Sequence, residues 1–126
     1  MNLSNKIFAY IKITRPLNVF ITFCVVVVAI LISQTSQTNL NLIFLSSIAA
    51  ALIAASGNII NDIYDIETDK IAHPKRVIVL GKITKQESWY LYVALNFISA
   101  IIAASLSTIL LVIVLLTILL LFFYSA

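Results

Sequence analysis

The chain has 126 residues, 62% of them hydrophobic and 10% charged, with a mean hydropathy of +1.11. That balance excludes an ordinary soluble domain and indicates a membrane protein. The net charge of +3 is no mark of a nucleic-acid binder, and its distribution says more: every Lys and Arg lies within 6–15 or 70–85, and every Asp and Glu within 62–87.

Residues 2–14 form a short amphipathic lead-in, with Ile7, Phe8, Tyr10, Ile11 and Ile13 set among Lys6 and Lys12. Such a segment suits the membrane interface. Arg15-Pro16 marks a helix start, because Pro is accommodated in the first helical turn. A first span is predicted over about 17–33. Its apolar run of about 18 residues exceeds a signal-peptide core of about 7–15, and no small-residue cleavage site follows, so the span is retained. Asn18, one turn inside it, has two readings: a helix–helix hydrogen bond, or a wall residue of a site. Cys24 is the only cysteine and sits mid-span, offering neither a disulfide nor a metal cluster.

Residues 34–39 are polar and short enough to link a hairpin. A second span is predicted over about 40–66. Its small residues, Ser46, Ser47, 49–51, 54–56 and Gly57, let neighbouring helices approach closely. The end of this span carries Asn58, Asn61, Asp62, Asp65 and Asp69. On one continuous helix at 100° per residue these five fall within an arc of roughly 100°, with Glu67 on the opposite side. Like charges at i,i+4, such as Asp65 and Asp69, cost roughly 0.2–0.5 kcal/mol per pair in water, and more beside lipid. A divalent cation removes that conflict, and Mg²⁺ prefers such oxygens with a phosphate completing its shell. The alternative is a solvated helix end whose carboxylates face water.

Residues 67–86 form the one long loop. Pro74 breaks the helix or holds a turn, and Gly81 supplies a positive-φ corner. His73 has no second His or Cys near it, which marks a solvent-facing loop residue. Lys75 and Arg76 either anchor the loop at the membrane or fold back onto anions held at the aspartate stripe. From Ser88 onward the chain is uncharged. As one helix this run would extend roughly 57 Å, far beyond a bilayer core of about 30 Å, so it must fold back. Ser105-Leu106-Ser107-Thr108 is the predicted bend, with spans over about 87–104 and 108–124. Trp89, Tyr90 and Tyr92 read as an interfacial aromatic belt. No basic residue follows the fourth span, so the chain is expected to continue in a longer protein. The positive-inside rule gives a multi-pass plasma-membrane protein whose N-terminus and aspartate stripe are cytoplasmic and whose 34–39 link is outside.

With these motifs the sequence resembles the UbiA superfamily of intramembrane prenyltransferases. The resemblance rests on Asn61-Asp62-x-x-Asp65-x-x-x-Asp69, preceded by Gly57-Asn58 and followed by Lys70-Ile71-x-x-Pro74-x-Arg76 and Gly81-x-Ile83. Arg15-Pro16-Leu17-Asn18 opens the first span where the family has an Arg-Pro pair. It implies an all-α polytopic bundle of about nine helices, of which this chain supplies the N-terminal four. It also implies two aspartate motifs that hold Mg²⁺ and the diphosphate of a polyprenyl donor. By position, Asn61, Asp65 and Asp69 match the main metal-and-diphosphate residues, with Asp65 and Asp69 catalytic. Asp62 and Asn58 match supporting ones, Lys75 and Arg76 the basic loop that closes over the diphosphate, and Arg15 and Asn18 complete the substrate-binding wall.

The resemblance implies ionisation of an allylic diphosphate whose leaving group is neutralised by Mg²⁺ and Lys/Arg. The resulting cation is shielded by an aromatic face such as Phe20, Phe23 or Tyr64 and captured by an acceptor. The acceptor pattern looks most like the subgroup that alkylates geranylgeranylglyceryl phosphate in ether-lipid synthesis. A quinone precursor or a chlorophyll-type acceptor is the alternative, and the loop lacks the Arg-Thr of haem-farnesylating relatives. Two departures stand out: Ala72 replaces a common Asn, and Val77-Ile78-Val79-Leu80 replaces a Pro-Ile-Pro-Ser type run. The second aspartate motif is missing, so the chain is expected to be inactive alone. A different class, a small non-catalytic membrane protein that binds a cation or a partner, is the competing expectation.

Overall fold

The computed structural model describes residues 3–33 and 39–126. The polar link at 34–38 lies outside them. Six helices follow in order: α1 Leu3–Ile13, α2 Pro16–Ile32, α3 Leu40–Tyr64, α4 Ile66–Ala72, α5 Lys85–Leu106 and α6 Thr108–Ser125. Among the described residues there is no strand. The all-helical membrane bundle expected from the sequence is what is observed.

Local sequence fixes several helix ends. Pro16 opens α2 after Arg15, whose φ of 54° and ψ of 71° put a non-glycine residue in the left-handed region. That conformation is uncommon without glycine, and here it bends α1 by 48° from α2. Asn39 caps α3, its side chain accepting from the Leu42 amide at 2.7 Å. Thr84 and Glu87 form a reciprocal capping box at the start of α5, satisfying amides that the first helical turn leaves unpaired. Ser107 ends α5 and caps α6, within the 105–108 segment where the uncharged run had to turn.

Helices α3, α5 and α6 are each long and apolar enough to cross a bilayer, and the bent α1–α2 pair counts as a fourth span if taken together. Helix α3 is central, packing chiefly on α5 and α2, while α6 packs on α3 and α5. Its small residues are the reason: Ser47, Ala49, Ala51, Ala55, Ser56 and Gly57 are all buried. A Cβ added at Gly57 would lie 3.2 Å from Leu121 Cδ1 of α6. Polar contacts add to this packing. Ser99 Oγ donates to the Ala49 carbonyl at 3.0 Å and Ser56 Oγ to Asn96 Oδ1 at 2.7 Å, bonds typically worth about 0.6 kcal/mol each within a membrane.

Three features were not anticipated from the sequence. The segment 58–69 is not one continuous helix. It breaks at Asp65 (φ −85°, ψ 8°), a poor helix former, although the Asp65 amide still reaches the Asn61 carbonyl and its own carbonyl the Asp69 amide. The loop after α4 is not simply solvated, since Val77, Ile78 and Ile83 are buried in one cluster with Ala9, Ile13, Ile59, Ile60, Ile63 and Tyr92. The apolar run that looked like a departure from pattern anchors the loop. Finally, Tyr92 is buried, and Trp89 meets Tyr64 and Tyr92 edge-on. Only Tyr90 of the three aromatics faces outward.

Candidate functional site

The break at Asp65 splits the acidic stripe. Asp62, in the last turn of α3, and Asp69, in α4, have side chains only 4% exposed. Burying two carboxylates is costly unless each is paired, and two guanidiniums supply the pairs. Arg15 Nη2 donates to Asp62 Oδ1 at 2.5 Å. Arg76 Nη1 donates to Asp69 Oδ2 and lies 3.1 Å from Asp62 Oδ1. Three separate pieces of chain thus meet at one alternating charge cluster: the α1–α2 bend, the α3–α4 break and the loop.

Above the cluster lies a cleft of about 430 Å³ lined by Lys12, Arg15, Asp62, His73, Lys75 and Arg76, among others. Lys12 and Lys75 make no ion pair among the described residues, so the cleft has two spare cations on its wall. His73 ends α4 and is exposed, as its isolation in the sequence suggested. A cavity of this size, with one predominant sign of charge, attracts anions.

The remaining candidates sit elsewhere. Asn61 faces α6, where its Oδ1 accepts from the Ser125 hydroxyl. Asn58 Nδ2 donates to the Thr14 carbonyl at 2.8 Å, holding the α1–α2 bend beneath Arg15. Asn18 is exposed, and among the described residues its side chain has no partner. Asp65 is also exposed, and its carboxylate is free of hydrogen bonds and ion pairs among the described residues. The structure therefore brings together Asp62, Asp69, Arg15, Arg76 and Lys75. Among the described residues no side-chain hydrogen bond or ion pair joins Asn18, Asn58, Asn61 or Asp65 to them.

Among the described residues no three of His, Cys, Asp and Glu already converge as a metal site. The donor chemistry nevertheless fits Mg²⁺, for the segment offers only hard carboxylate and carboxamide oxygens. Lys12 was not singled out among the candidates in the sequence; its place on the same end of the bundle as Arg15 was the available signal. Ser125 was invisible there, because its contact with Asn61 spans 64 positions.

Fold and site together define a multi-pass helical membrane protein with a paired carboxylate–guanidinium cluster at the end of its central span. Residues 20–126 match the UbiA prenyltransferase family, and this chain belongs to that family. Similar relatives include the digeranylgeranylglyceryl phosphate synthases of Methanoculleus marisnigri, 36% identical over 100 residues (79% of this chain, 35% of that one), and of Saccharolobus solfataricus, 36% identical over 99 residues (79% and 35%). A solved structure described as giving insights into digeranylgeranylglyceryl phosphate synthase in membranes superposes with a TM-score of 0.90 at 27% identity. The match covers 95% of this chain and 43% of that one. The chain spans about 35% of the length of the curated relatives it matches.

Proposed function

We propose that this chain forms the diphosphate-gripping part of an intramembrane prenyltransferase. The enzyme transfers a polyprenyl group from an allylic diphosphate to geranylgeranylglyceryl phosphate. The observation that carries this reading is the Arg15–Asp62–Arg76–Asp69 cluster beneath a cationic cleft, in a family whose similar members bear that product's name.

Asn61, Asp62, Asp65 and Asp69 are the residues that would hold Mg²⁺, which when bound neutralises the charge that develops on a departing diphosphate. Arg15 and Arg76 hold the carboxylates of Asp62 and Asp69 and can transfer their hydrogen bonds to phosphate oxygens, which guanidinium forks match well. Lys12 and Lys75 add unpaired positive charge at the rim, drawing the donor headgroup in. Tyr64, next to Asp65 in the chain and edge-on to Trp89 and Phe122, presents a partly exposed aromatic ring of the kind that suits an allylic cation. As the allylic carbon–oxygen bond breaks and the diphosphate leaves with its electron pair, the acceptor hydroxyl oxygen bonds to the prenyl carbon and its proton passes to the departing diphosphate. The clustering of Lys and Arg on α1 and the loop supports a cytoplasmic site in the plasma membrane.

The test is transfer by the full-length protein in vesicles, using radiolabelled geranylgeranyl diphosphate with Mg²⁺. Label appearing in geranylgeranylglyceryl phosphate is expected. Label passing only to an aromatic quinone precursor would replace this acceptor, and absence of any transfer would refute the prenyltransferase reading.

A further inference from the structure

Lys12 belongs to two cavities. One is the cleft above Asp62; the other, of about 310 Å³, lies between α1 and the loop and shares Lys12 and Val77 with the first. It is lined by Asn5, Phe8, Ala9, Lys12, Val77 and Lys82. The first four recur at i, i+3, i+4 and i+7, so one face of α1 forms a wall. Lys82 comes from the turn after Gly81, whose φ of 66° suits a residue without a Cβ. The backbone amide of Lys82 donates to the Val77 carbonyl at 3.0 Å, which fixes the turn and leaves the side chain unused.

Among the described residues the cations of this second cavity have no counter-ion. Lys6, Arg15, Lys70 and Arg76 each pair with a carboxylate. Among the described residues Lys12 and Lys82 pair with none, and no acidic residue lines the cavity. Beside it, Leu3, Ile7, Phe8 and Ile11 form an exposed apolar face of α1. A helix with such a face rests in the interfacial layer, at the depth where lipid headgroups lie.

We infer that this cavity binds the phosphate monoester of a glycerol-based lipid acceptor, with Lys12 and Lys82 as its cationic contacts and the Asn5 amide as a neutral donor. This rests on the glyceryl phosphate acceptor proposed above. Such an acceptor carries its phosphate one carbon away from the carbon that bears the reacting hydroxyl. The hydroxyl must meet the prenyl carbon at the donor diphosphate while two mutually repelling anions are held apart. Two adjoining cationic cavities that share Lys12 meet that requirement. Lys82 touches only the second cavity, so it separates the acceptor phosphate from the donor diphosphate. Bulk anionic phospholipid offers a phosphodiester that the same cations could hold, and the experiment must distinguish the two.

The experiment is steady-state kinetics of the full-length protein in phosphatidylcholine vesicles, with geranylgeranyl diphosphate and geranylgeranylglyceryl phosphate varied separately. Lys82→Gln raises the acceptor KM about tenfold, leaves the donor KM within about twofold, and is rescued by Lys82→Arg. Asn5→Leu shifts the acceptor KM in the same direction by less. An unchanged acceptor KM, or a parallel rise in both KM values, overturns the inference. So does a defect that appears only when phosphatidylglycerol is added, since that assigns the cavity to bulk lipid. Wild-type protein unable to use the phosphorylated acceptor defeats the acceptor proposal as well; wild-type turnover with a silent Lys82→Gln defeats this inference alone.

Discussion

Arg15 and Asp62, 47 positions apart in the chain, are joined by a 2.5 Å hydrogen bond that ties the α1–α2 bend to the end of the central span. The Arg15 backbone is left-handed and the Asp62 side chain is almost wholly buried. Replacing Arg15 by glycine keeps the backbone conformation at no steric cost but leaves Asp62 with Arg76 alone. The expected outcome is a loss on the order of 1–3 kcal/mol, read as a lower unfolding midpoint in detergent, together with weaker donor binding. Arg15→Lys restores the charge and less of the geometry.

Asp65 behaves differently from its acidic neighbours because nothing in the described structure leans on it. Asp65→Ala is expected to leave the unfolding midpoint unchanged while lowering Mg²⁺-dependent transfer by the full-length protein at least about 100-fold. Asp62→Ala lowers both, since Arg15 loses its carboxylate and Arg76 keeps only Asp69, at a cost on the order of 2 kcal/mol. Equal stability losses for the two variants would count against this separation.

Gly57 permits the close approach of α3 and α6. Gly57→Val forces its side chain against Leu121 and is expected to destabilise the bundle by about 1–3 kcal/mol. Adding Leu121→Ala recovers part of that loss, a coupling measurable as a double-mutant cycle in detergent unfolding. Independent, additive effects would show that the two helices do not meet there.

Asn58 is expected to act through the bend. Asn58→Leu removes the donor to the Thr14 carbonyl and costs about 1 kcal/mol. Its signature is faster amide hydrogen exchange at residues 14–18 with little change in α5. A variant with unaltered exchange but impaired donor binding would move Asn58 into direct contact with substrate.

Much of this arrangement was legible in the sequence, and the failures have identifiable causes. Apolar run length gave the spans, and the uncharged stretch after Glu87 had to bend near Ser107 because it is too long for one bilayer. The motif placed Asp62 and Asp69 on one stripe with Asn58, Asn61 and Asp65, and of these Asp62 and Asp69 share a partner, Arg76. Treating 58–69 as an unbroken helix hid the break at Asp65, which turns one stripe into a buried pair and an outlying carboxylate. Val77, Ile78 and Ile83 looked like loop residues because no period marks an irregular segment that is nonetheless buried. Trp89 and Tyr92 were assigned to the interface by their place at a span end, a rule that carries no information about which way each ring turns. Contacts such as Ser125 with Asn61 depend on tertiary folding alone.

The buried side chains of Val77, Ile78 and Ile83 also set the speed at which the site can change state. A tethered segment cannot swing as a flap, so admitting a charged headgroup calls for Arg76 and Arg15 to change rotamer rather than for the backbone to travel. Because Arg15 and Arg76 are ion-paired and only partly exposed, opening of the cleft waits on their release from Asp62 and Asp69.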